Sequence, residues 1–399
     1  MTSPSLPKDA DFETFATLTA DRACARFGHD VARSCFDAWA TVGVTCRWNR
    51  HRDRSVEHGA PSAVGTPTAT VLPGLGVSNI AYRSGNGHLH ELWNNGGTDS
   101  GTSDLTSLAG APSAVGDPFA YTDHSRNTEI LLFRSSDGRV RSLFWSTGPV
   151  GHDDLSGTAG SPAATGTPVG YHHAPSDGHH VIYLGTDRHL HELVWFGVAP
   201  VFYGGNLTQA IGAPHAAGDP AAYSTPDGTN IVPYRAEDGR ILSVFWKDGP
   251  SGLDDLSGTA GTPRASSDPV AFHLPSTDSH HVFYVGRDRH VYELTWVGVA
   301  PVSGRDLTAL AGAPLATGRP TAFFSSPHQV FSVTYRRDDG HLEELSWAPG
   351  QPVGHGDVTA NSAAPPAADS PVGFVVEADR SGHLAFRGTD GHLHEITWR

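Results

Sequence analysis

A carboxylate recurs in this sequence at a fixed place in a repeated phrase. The phrases GHLHELW, RHLHELVW, RHVYELTW, GHLEELSW and GHLHEITW carry Glu91, Glu192, Glu293, Glu344 and Glu395. Two sister phrases, GRVRSLFW and GRILSVFW, have Ser142 and Ser243 there. An arginine ends the preceding apolar run at Arg83, Arg134, Arg235, Arg336 and Arg387, while Leu184 and Val285 stand in its place in the third and fifth units. Arginine and glutamate therefore coincide in units one, six and seven. A guanidinium donates and a carboxylate accepts, both through charge-assisted bonds, and adjacent hydroxyls of a pyranose can satisfy both. The apolar face of such a sugar can rest on Trp93, Trp347 or Trp398. The same residues could instead form a structural ion pair between strands, and sequence leaves both readings open. Burying the acid without a donor would be expensive in either case.

Histidine offers a second chemistry. His88/His90, His189/His191 and His392/His394 are His-x-His pairs whose rings share one face of a strand. Such pairs can ligate a metal on a sheet, but no third ligand repeats with them, so no metal or cofactor is expected. His179-His180 and His280-His281 sit at a predicted turn. No G-x-S-x-G, P-loop or H-E-x-x-H occurs, and the repeat contains no cysteine.

The elements that must position these residues follow from the period. Trp93, Trp145, Trp195, Trp246, Trp296, Trp347 and Trp398 recur every 50 to 52 residues. Each unit reads as four strands. The first follows a proline, and the second is an apolar run. A tight turn such as Asn86-Gly87, Asp137-Gly138 or Asp390-Gly391 then leads into the third strand, which ends at the tryptophan. The fourth carries an Asp-Leu-Thr step such as Asp104-Leu105-Thr106, followed by a Gly-Ala-Pro connector such as Gly110-Ala111-Pro112. Seven such units predict an all-β fold, a seven-bladed β-propeller of four-stranded antiparallel blades over residues 43–399. The chain stops after the seventh third strand, so residues 43–57 are expected to supply the missing outer strand of that blade and close the ring. Residues 1–42 lie outside the repeat and read as a short helical N-terminal extension. Two connectors, DDLSGTAGSPAATGTPVGY and DDLSGTAGTPRASSDPVAF, lie 101 residues apart, which points to duplication of blade pairs.

Composition agrees. The 46 Gly and 29 Pro of 399 residues fit many turns and exclude a long-helix protein. The net charge of −15 and the single short basic cluster at Arg47, Arg50, Arg52 and Arg54 exclude a nucleic-acid partner. No apolar stretch is long enough for a membrane span, and the first residues show no secretory signal. Localisation stays open between the cytoplasm and secretion by a non-classical route, as does a homo-oligomer. Three cysteines, Cys24, Cys35 and Cys46, all precede the repeat, so no disulfide framework holds it.

The phrase from Tyr82 to Trp93, matched again from Phe386 to Trp398, resembles the repeats of fucose-specific lectins and of bacterial seven-bladed propeller lectins. That resemblance implies sugar sites between blades, where an arginine and a glutamate of one blade meet an aromatic of its neighbour. Carried over, it implies Arg83/Glu91, Arg336/Glu344 and Arg387/Glu395, with Trp93, Trp347 and Trp398, and with Glu192 and Glu293 as incomplete sites. The expected partners are glycans or glycoconjugates, fucosides first, bound at several weak sites. The alternatives are a non-catalytic protein-interaction scaffold, or an enzyme with its site at the channel mouth.

Overall fold

The computed structural model describes residues 50–72, 76–95, 99–247, 251–378 and 380–398, together with Thr19, Cys35 and Ala38. The expected helical extension over 1–42, and residues 43–49, lie outside the described residues apart from those three.

Seven four-stranded antiparallel sheets form a ring. In blade 1 the strands, named A to D from the inside out, are Ala63–Leu72, Val77–Ser84, Leu89–Asn94 and Ser100–Asp104. The A strands of successive blades touch one another around the ring, and that of blade 7 touches that of blade 1. The outer strand of blade 7 is Arg50–Asp53. It runs antiparallel to Leu393–Trp398, with Arg52 opposite Glu395 and Asp53 opposite His394. Both faces of each blade are covered, and among the described residues each of the seven interfaces has its own apolar cluster.

The Asp-Leu-Thr step does more than end a strand. Asp104 closes strand D, and its carboxylate accepts from the backbone N–H of Ser107, capping a one-turn helix at Leu105–Ala109. Gly110, at φ 61°, ends that helix in the left-handed region. The Thr106 hydroxyl then accepts the N–H of Leu89, the first residue of strand C, at 2.8 Å. Ser156, Thr208, Ser257, Thr308, Thr359 and Ser55 make the same latch to Val140, Leu190, Ile241, Val291, Leu342 and Leu393. Sequence reading placed this step on strand D, with the Asp making a local hydrogen bond that turns the chain; the helix itself was missed because five residues are too few to show a period.

Each connector in turn fastens two blades. The Ala114 N–H donates to the Gly87 carbonyl in the turn of blade 1, and the next N–H, of Val115, donates to Arg134 of blade 2. The turns between strands B and C therefore share one rim with the connectors. In five blades a buried tyrosine of strand B, such as Tyr82, donates its hydroxyl to the proline carbonyl of the connector entering its own blade, at 2.6 to 3.0 Å.

Ring closure adds one buried charge. Arg54 is 1% exposed, and its Nη1 donates to Glu395 Oε2 at 2.9 Å. Removing one member of a buried pair leaves the other unpaired. Arg54→Ala is expected to lower stability by about 3–5 kcal/mol in urea unfolding. Adding Glu395→Gln should recover part of that loss. A cost under about 1 kcal/mol would show that the pair does not hold the ring.

Candidate functional site

The third-strand acids point toward the following blade, where they are buried at the interface. Each is met differently. Glu192 is hydrogen-bonded to His180 Nδ1 at 2.7 Å, and Glu293 to His281 Nδ1 at 2.8 Å. Arg305, also bonded to Glu293, lies 5.2 Å from the ring centre of Trp347 in the next blade. Glu344 accepts from the Ser332 hydroxyl at 2.8 Å. Glu395 takes His383 and Arg54. Burial alone would raise its pKa, but the His383 hydrogen bond and the charges of His383 and Arg54 outweigh that and hold it at about 2.

The arginines expected to pair with these acids go elsewhere. Arg83 donates to the Gly116 carbonyl at 2.8 Å, Arg336 to the Ala367 carbonyl at 2.8 Å, and Arg387 to Asp369 at 2.9 Å. All three thus anchor the connector rim. Among the described residues no ion pair joins Arg83 to Glu91 or Arg387 to Glu395. Trp347 is buried, while Trp93 and Trp398 are half-buried. Trp398 lies beside Phe323 of blade 6, their ring centres 6.1 Å apart.

Among the described residues Glu91 has no cation. Burial pushes its pKa up to about 7 against a hydrogen bond from Ser103, and its Oε2 is buried without a partner among the described residues. Across the same interface lies Glu129 of blade 2, an acid that sequence reading did not single out. It accepts from Thr70 at 2.8 Å and from Asn79. Burial raises its pKa to about 7 as well, against the Thr70 bond and with help from the charge of Glu91.

The fourth and fifth blades leave an opening. Between them lies a cavity of about 1020 Å³, lined by Ser243, Phe245, Asp254, His273, His280 and Trp296, with Asp227, Lys247 and Asp278 at its rim. Ser243 occupies the place that glutamate fills in five other blades, and its Oγ is buried without a partner among the described residues. Trp296 lies parallel to His280 with ring centres 4.5 Å apart. The Tyr223 hydroxyl is 3.0 Å from His280 Nδ1, and His273 Nε2 is 3.0 Å from Asp278. Asp227 takes Lys247 at 3.1 Å. Burial raises the pKa of Asp254.

The sister interface, between blades 2 and 3, also carries serine, at Ser142, yet an arginine spans it. Arg126 pairs with Asp123 of its own blade and reaches both oxygens of Asp177 in blade 3. In blade 4 the corresponding turn is one residue shorter and reads Thr225-Pro226-Asp227-Gly228, with no arginine. Sequence reading noted both serines but not that difference, which was the available signal.

Several solved structures superpose on this chain. The BP39L lectin from Burkholderia pseudomallei superposes with a TM-score of 0.67 at 13% identity, covering 85% of this chain and 96% of that one. The fold is that of the propeller lectins. The Aleuria aurantia lectin in complex with alpha-methyl-L-fucoside gives 0.52 at 13% identity, over 74% of this chain and 96% of that lectin. AofleA from Arthrobotrys oligospora gives 0.51 at 13% identity, over 79% and 91%. No protein-family model and no curated relative matches the sequence. At such identities the likeness to these lectins is one of architecture, and the Aleuria lectin is described as six-bladed where this chain has seven blades.

The uncompensated acids make stability depend on pH. Glu129 holds its proton more tightly in the folded chain, so its contribution is complete below the ordinary value of 4.5 and fades as pH rises through about 7. Glu129→Gln removes that loss, and Asn79 can accept from the new amide by reversing its own. In urea unfolding, the variant should gain on the wild type steadily from about pH 5 to about pH 8. Parallel profiles would refute the assignment.

Proposed function

We propose that this protein is a non-catalytic, carbohydrate-binding lectin that takes a sugar ring in the cleft between blades 4 and 5. The observation that carries this reading is the cavity at Ser243, where the acid found in five other blades is missing and no arginine spans the gap. Its volume of about 1020 Å³ is that of a small-ligand pocket. Phe245 and Trp296 offer aromatic surface for the C–H face of a sugar. Asp227, Asp254 and Asp278 accept from hydroxyls, while Lys247 donates. The likeness in fold to lectins solved with fucosides supports the reading and makes α-L-fucosides the first ligands to try.

The reading moves the site away from the residues expected from sequence. Glu192, Glu293, Glu344 and Glu395 already have protein partners, and Arg83, Arg336 and Arg387 serve the connectors. Glycans or glycoconjugates remain the proposed partners.

A glycan array should give at least one binder, with fucosides as the leading class, and calorimetry should then measure its affinity. Ser243→Glu restores the side chain of the other blades and should abolish that binding. Trp296→Ala should weaken it about three- to tenfold, the loss of one aromatic contact. An array without a hit, or full affinity in Ser243→Glu, would overturn the proposal.

A further inference from the structure

We propose that His273, Asp278 and His280, at the mouth of the same cleft, form a binding site for one divalent transition-metal ion, of which zinc is the natural probe. This inference does not rest on the sugar reading.

One donor atom from each of the three residues lies within 4.8 Å of the others. His273 and Asp278 come from strand A of blade 5 and the turn after it, and His280 from strand B, so a rigid hairpin presents all three. The His273 side chain is only 3% exposed. Its Nε2 faces Asp278 at 3.0 Å, while its Nδ1 is buried with no partner among the described residues. His273 Nε2, the nitrogen that faces Asp278, is the one placed to share an ion with that carboxylate.

The matching interface shows how such a hairpin is otherwise satisfied. Between blades 2 and 3 the corresponding residues are His172, Asp177 and His179. His172 Nδ1 lies 3.4 Å from one oxygen of Asp123, and His179 Nε2 lies 3.6 Å from the other. Two imidazole nitrogens thus converge on one carboxylate. Arg126 supplies the positive charge, touching both Asp123 and Asp177. In blade 4 the residue at the Asp123 position is Thr225, and no arginine follows it. Lys247, the cation nearby, is engaged by Asp227. The blade 5 hairpin therefore keeps two imidazoles and a carboxylate but has neither their carboxylate partner nor their cation.

The donor set selects the ion. Two imidazoles and one carboxylate suit zinc, nickel or copper, whereas calcium and magnesium ask for more oxygens. Tyr223 can accept the Nδ1 proton of His280, which leaves Nε2 its lone pair.

The test is calorimetry on the untagged, chelator-stripped full chain, titrated with zinc chloride in sugar-free buffer. One site is expected, with calcium and magnesium at least about tenfold weaker. His273→Ala and Asp278→Asn should each weaken zinc about tenfold or more, while His172→Ala leaves it unchanged. Asp278 is 64% exposed with φ 51°, a conformation asparagine adopts readily, so Asp278→Asn keeps the fold. Absence of zinc binding up to about millimolar concentration, equal calcium affinity, or wild-type affinity in Asp278→Asn would overturn the proposal.

Discussion

Closure of the ring is the constraint on which the other features depend. It is made with the chemistry used inside every blade, applied to residues more than 330 positions apart. Asp53 caps a helical turn, Ser55 accepts the N–H of Leu393, and His392 meets Asp53 at 2.9 Å. In blade 1 the same roles fall to Asp104, Thr106, Leu89 and His88. Apart from the buried Arg54–Glu395 pair, the last blade therefore uses no new interaction type. What it adds is loop entropy, which grows only slowly with the length enclosed.

Once the ring is closed, no blade has a free face, and every polar group on those faces must be satisfied locally. This explains why one motif position has several solutions. Glu395 is held ionised by His383 and by Arg54. Glu293 uses His281 and Arg305, and Glu192 uses His180. Glu91 has no cation among the described residues and faces Glu129, so burial drives both toward the neutral form. The repeated glutamate is thus not one device copied five times. Its surroundings decide its charge, and they differ because strand B contributes Asn79, Ser332 or a histidine (His180, His281, His383) beside it.

The architecture was legible in the sequence because it rests on local, repeated signals. The tryptophan period fixed the blade count, and turns such as Asn86-Gly87 marked the hairpins. The capped helical turns were visible only as Asp-Leu-Thr, since five residues cannot display a helical face. The partners of the acids were not legible. Arg83 and Glu91 lie on strands that pair directly, yet register places Arg83 opposite Leu89 at the rim and Glu91 opposite Ala81. The resemblance suggested a pair where the fold has two separate posts. Glu129 went unnoticed because it occurs in a single blade.

The cleft was hidden for a different reason: it arises from what two blades lack together. Ser142 and Ser243 look equivalent in sequence, and so do His179 and His280, which stack alike on Trp195 and Trp296. What separates the two interfaces is one deleted turn residue, Thr225 in place of Asp123 and the absence of an arginine, in a segment that contacts its neighbour about 50 residues away. An arginine that satisfies two aspartates also plugs the gap between blades, because its guanidinium is broad and planar. Removing it has two effects at once. It opens a volume, and it strands a carboxylate and two imidazoles without a counter-charge. Ligand access and chemical reactivity at this interface therefore have one origin. The two interfaces are alike in most of their residues, and a change in one short turn is enough to make them different.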